Sequence, residues 1–151
     1  MLIDGVASGS TVTCAANDQV IVQAVSTTQF KLSRIRYDNA LGYLDVPQNS
    51  QSAAYTLVLA DAGKHIYHPG ADTTARIWTI PANASVAFPI GTAVTFVNDT
   101  SGGVITIAIT TDTLVLSSAG TTGSRTLAAN GIATALKMTA TRWIISGTGL
   151  T

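Results

Sequence analysis

The residues whose chemistry could define a site are few and scattered. Two histidines fall in His65-Ile66-Tyr67-His68, with Asp72 just beyond. Imidazoles serve as metal ligands and general bases, but a metal site needs them to converge on one point. On an extended strand, residues three apart face opposite ways, so this pair does not converge; both histidines are read as surface or turn residues. Ser, His and Asp all occur, yet there is no Gly-x-Ser-x-Gly elbow to set up a nucleophile. Glycoside cleavage needs two carboxylates held a few ångströms apart. The eight acidic residues are all aspartates and are dispersed, with Asp18, Asp61 and Asp99 in turn-like contexts.

Weaker motifs fare no better. Ser101-Gly102-Gly103 lacks the Lys-Ser/Thr and the helix that complete a phosphate loop, so it reads as a hairpin turn. Cys14 is the single cysteine, which rules out an intrachain disulfide and points to a small buried hydrophobe. Asn83-Ala84-Ser85 and Asn98-Asp99-Thr100 match the glycosylation sequon, but without a secretory signal they read as chance. The expectation is a non-enzyme with no catalytic residue, no cofactor and no metal.

Two features suit partner binding instead. Lys31, Arg34 and Arg36, followed by Tyr37, form the one basic cluster, and Arg34 and Arg36 fall on one face of an extended segment. Such a face can meet an acidic protein surface, whereas two or three charges hold nucleic acid weakly. Trp78 is a candidate ligand contact, as exposed aromatics often are, while Trp143 in Thr141-Arg142-Trp143-Ile144-Ile145 reads as a packed strand residue.

The elements that must position these residues are strands. Tyr55, Leu57 and Leu59 share a face, as do Ile105, Ile107 and Ile109, and as do Val94, Phe96 and Asn98. Ile132, Thr134, Leu136 and Met138 are expected to form another inward set, and Trp143 with Ile145 a last one. Turn signals separate the runs at Asp61-Ala62-Gly63, His68-Pro69-Gly70, Asn98 through Gly103, and Asn130-Gly131. Their spacing of about 8–12 residues is the rhythm of a sandwich or barrel. Roughly ten strands and an all-β, antiparallel, jelly-roll-like sandwich are expected. Residues 1–52 read as N-terminal strands forming an arm or subdomain, and 53–151 as the sandwich domain. The polar stretch Pro47-Gln48-Asn49-Ser50-Gln51-Ser52 is the expected joint. The strand around Val104 to Ile109 is apolar and uncharged, so it must be central or covered.

Composition bounds the partners. The 151 residues are 46% hydrophobic and only 11% charged, with zero net charge. So little charge suggests a surface partly covered by other subunits, and zero net charge removes any general pull toward nucleic acid or an anionic membrane. No apolar run reaches the ~20 residues that span a bilayer. The N-terminus lacks a basic n-region and a long apolar h-region, so synthesis in the cytoplasm is expected.

From Ala54 onward the chain resembles a β-domain of tailed-bacteriophage virion proteins. The resembling pieces run from Tyr55 to Lys64, from Thr79 to Thr92, through the glycine turn before Val104-Ile105-Thr106-Ile107, and end at Arg142-Trp143-Ile144-Ile145. The resemblance implies a structural or adhesive virion component and carries no catalytic residue. The leading expectation is a capsid decoration (cement) protein on the outer head surface. It would bind the major capsid protein and itself, as homodimer or homotrimer, with residues 1–52 as docking segment. The alternative is a tail-fibre or tail-tip component recognising a host glycan through Trp78 and the Tyr67 region.

Overall fold

The computed structural model describes residues 2–3, 19–24, 29–35 and 45–151. The chain divides into two compact units, Met1–Asp45 and Val46–Thr151. In the first unit, β1 (Leu2–Ile3), β2 (Gln19–Ala24) and β3 (Gln29–Ile35) form one sheet in the order β1-β3-β2. β2 and β3 pair antiparallel, with Val20 opposite Arg34 and Gln23 opposite Lys31.

The second unit is built around one mixed sheet. Its strands are β4 (Gln48–Ser50), β5 (Tyr55–Thr56), β6 (His65–His68), β7 (Arg76–Ile80), β8 (Ala93–Asn98), β9 (Ile105–Ile109), β10 (Thr113–Leu116), β11 (Arg125–Thr139) and β12 (Arg142–Leu150). The all-β expectation holds. The antiparallel one does not. β4, β6 and β8 form one parallel ribbon, and β5, β7 and β9 form another. Both ribbons join antiparallel to the long β11, and β12 folds back along it as a hairpin, with β10 parallel to β12. The expected turns are real connections, but most lead from one ribbon to the other. Strands that are second neighbours in sequence therefore lie side by side and run the same way.

The sheet curls so that the two ribbons face each other across the core. Trp78 of β7 stacks on Phe96 of β8, with ring centroids 6.2 Å apart and planes at 30°. Around them lie Leu57, Ile66, Ile80, Phe88, Val94, Ile105, Ile107, Leu114, Leu127, Trp143 and Ile145, all buried. The inward sets predicted on β8, β9 and β12 are found there. β9 lies between β7 and β11, which shields its apolar length as required. Leu59 departs from its predicted face: it sits in a 3₁₀ turn (Leu59–Asp61) and is exposed.

β11 reverses the expected polarity. Ala133, Ala135 and Lys137 point inward, while Ile132, Leu136 and Met138 are exposed. The reason is space. Ala133 lies opposite Phe96 on β8, and Ala135 lies between Val94 and Ile145; those large neighbours fill the core and leave room only for small side chains. Asn130-Gly131 also differs from expectation. It is a bulge within β11, not a turn, with Asn130 at φ 60° and a register shift between Leu127 and Ile132. That bulge divides β11: residues before it pair with β9, and residues after it pair with β8.

The polar stretch at 47–52 is not a joint. Gln48–Ser50 is the outer strand of the first ribbon, and Asn49 reaches into the unit, so the division between units falls just before it.

Candidate functional site

The residues singled out for partner binding do not gather at one place in the second unit. Lys31 and Arg34 lie on β3 of the first unit. Arg36 and Tyr37 lie outside the described residues, as does Cys14. Trp78 is a correction: it is fully buried, and its indole nitrogen donates to the Ala53 carbonyl oxygen at 3.2 Å. A side chain stacked between the ribbons presents no surface to a ligand. Its local context did not reveal this, because burial came from the facing ribbon.

The two histidines face opposite ways, as strand geometry requires. His65 points outward, where Gln48 and the Val46 carbonyl are its partners. His68, expected at the surface, is buried. One ring nitrogen lies 2.9 Å from Asn98 Oδ1 and the other 3.0 Å from Asp72 Oδ2. Arg76 grips the same carboxylate with Nε at 2.8 Å and a second nitrogen at 3.2 Å. The Arg76 guanidinium, with His68 behind it, holds the Asp72 carboxyl well below the usual carboxylate range. Both imidazole nitrogens are engaged, so the cluster has no free base to offer a substrate. It ties the connection between β6 and β7 to the end of β8.

A second cluster surrounds Asp61, which is buried at 1% exposure. Its carboxylate accepts from Asn49 Nδ2 at 2.8 Å, the Tyr55 hydroxyl at 2.8 Å and the Val58 backbone amide at 2.8 Å. Burial, then the Asp61 carboxylate, pushes the Tyr55 phenol up. The reading of Asp61 as a local turn residue is correct but incomplete, since Asn49 comes from β4.

A third cluster escaped the sequence reading. Lys137 is buried at 1% exposure, and its Nζ donates to Asn83 Oδ1 at 2.6 Å. The same Nζ lies 5.5 Å from the centre of the Trp143 ring, which Phe88 meets edge-on. Asp112 accepts from the Asn83 backbone amide at 3.0 Å. The one available signal was the run Ala133, Ala135, Lys137 on alternate positions, whose small members mark the crowded side.

The outer face of the sheet is the remaining feature. Ile132, Leu136 and Met138 are 48%, 37% and 44% exposed along β11. Their neighbours on that face are Val97 and Thr95 of β8 and Ile144 of β12. Thr95 and Thr134 share a hydrogen bond in the middle of it. No charged residue interrupts this strip along 132–138 on the outward side. Neighbouring exposed apolar residues at the centre of a sheet mark an interaction surface more readily than isolated ones.

Among the described residues no group of three His, Cys, Asp or Glu is placed to hold a metal ion, and no helix is long and apolar enough to cross a membrane. No protein-family model, curated protein or solved structure matches the chain.

Proposed function

We propose that the chain is a structural component of a tailed-phage particle, a decoration protein that attaches to the outside of the head shell. The observation that carries this reading is the uncharged outer face of β11, with Ile132, Leu136 and Met138 open to solvent. A side chain of that kind gains about 25 cal/mol for each Å² removed from water, so a partner surface of matching shape stabilises itself there. The low overall charge and the virion-like succession of motifs from Ala54 onward point the same way.

On this reading the face lies against the major capsid protein. Lys31 and Arg34 of β3, with Arg36 and Tyr37, add an ionic contact from the N-terminal unit. The two facing ribbons make a sandwich-like body that holds the face in place. A stable attachment buries upward of ~1,000 Å², and repeated copies related by closed symmetry, as dimers or trimers, multiply it. No residue acts as a catalyst, and neither nucleic acid nor membrane is a partner. The tail-tip alternative shares the same resemblance but loses Trp78 as a glycan contact, since that side chain is buried.

Immunogold electron microscopy of particles, with antibody against this chain, tests the proposal. Even labelling over heads is expected. Label on tails would transfer the protein to host recognition, and particles without label would overturn a virion role.

A further inference from the structure

We infer that Lys137 and Asn83 are the two halves of an intramolecular isopeptide cross-link. The observation is their placement. A lysine buried at 1% exposure directs its Nζ at the side-chain carbonyl of an asparagine 2.6 Å away, 54 positions distant in sequence. The Trp143 ring lies beside the amine, and Phe88 packs edge-on against that ring. Among the described residues no carboxylate lies within ion-pair distance of Lys137, so its ammonium has only Asn83 and the Trp143 ring. Burying a cation with so little compensation is costly, and a neutral amide at the same place removes that cost.

The chemistry balances without an oxidant, metal or co-reactant. Lys137 attacks as the neutral amine: Nζ gives up its hydrogen bond to Oδ1, its lone pair adds to Asn83 Cγ, and the carbonyl electron pair moves onto Oδ1. The Cγ–Nδ2 bond then breaks as the new Cγ–Nζ amide forms. The electron pair on Oδ1 restores the carbonyl as one proton passes from Nζ to the departing nitrogen, which leaves as ammonia; a lysine that begins as ammonium first releases a proton to solvent. Holding the two groups within hydrogen-bonding distance replaces a bimolecular encounter by a step within one molecule. Asp112 is a positioning residue: by accepting from the Asn83 backbone amide it fixes the loop that carries the amide toward β11. The bond would tie the connection between β7 and β8 to β11, and it stands independently of the virion reading.

Intact-mass spectrometry of the purified full chain reads the outcome directly. Loss of one ammonia, about 17 Da, is expected, with a branched tryptic peptide joining Lys137 to Asn83 in the fragment spectra. Lys137→Met and Asn83→Ala should each restore the unmodified mass, and Asp112→Asn should leave a larger uncross-linked fraction. Ring closure at Asn130-Gly131 also releases ammonia, so a loss that persists in Lys137→Met would overturn the proposal. So would a full chain at its unmodified mass. If Lys137→Met fails to fold, the branched peptide from the unmutated protein still decides.

Discussion

Trp78 and Phe96 lie on strands that never pair, yet their rings stack 6.2 Å apart at an interplanar angle of 30°. Trp78 belongs to the β5-β7-β9 ribbon and Phe96 to the β4-β6-β8 ribbon, so this contact bridges the two ribbons of the curled sheet. His68 also meets Trp78, edge-on at 5.8 Å. The indole is thus where the core and the His68-Asp72-Arg76 cluster touch.

Trp78→Ala is expected to destabilise the fold by about 3–5 kcal/mol, the range for truncating a buried Trp in a close-packed core. Trp78→Phe keeps ring contact with Phe96 but loses the hydrogen bond to Ala53, and should cost less. Urea unfolding followed by tryptophan fluorescence or circular dichroism checks both, and a wild-type midpoint for the alanine variant would contradict the assigned packing.

The Asp72 cluster predicts acid sensitivity of a definite sign. Arg76 and His68 lower the folded-state pKa of Asp72, and Tyr67 followed by the Thr100 amide lowers that of Asp99. For a depressed carboxylate, the unfolded chain takes up the proton first as pH falls. The stabilisation is therefore complete above the unfolded value, near pH 4, and is lost as pH drops toward the folded value. Asp72→Asn should flatten the acid limb of a stability-against-pH curve while leaving its shape above about pH 6 unchanged. An acid limb as steep as wild type would remove Asp72 from the account.

Charge placed on the outer face should separate attachment from folding. Leu136→Lys with Met138→Lys alters exposed side chains and should change stability by no more than about 1 kcal/mol. The same pair should abolish co-sedimentation with capsids, and with it any self-association through this face. Unimpaired co-sedimentation would assign binding elsewhere, with the basic strand of the N-terminal unit next in line.

Truncation locates the unit boundary. A chain of residues 46–151 should melt as the second unit does in the full protein. Beginning instead at residue 53 removes β4 and with it Asn49, one of three donors to the buried Asp61. Leaving a buried carboxylate short of a donor costs about 1–3 kcal/mol, so the shorter chain should melt lower. Equal melting temperatures, measured by calorimetry, would show that β4 contributes nothing.

Much of this protein was legible in its residues because a strand's alternation is a local property. Val94, Phe96 and Asn98, the isoleucines of β9, and Trp143 with Ile145 announced their inward faces through period-two geometry alone. The absence of glutamate and of helical periodicity argued against α-helices, and glycine- and asparagine-containing segments marked where strands end, except at Asn130-Gly131, which bulges inside β11. Direction and neighbourhood are not local. Alternation is identical in parallel and antiparallel strands, so only the assembled sheet decided that the connections cross between ribbons. The inward face of β11 was also decided there. Judged by itself, the side carrying Ile132, Leu136 and Met138 is the more apolar, but Phe96, Val94, Trp143 and Ile145 already occupy the core beside it. Volume across the strand overrode hydrophobicity along it, turned the alanines and Lys137 inward, and brought that lysine to an asparagine 54 residues away.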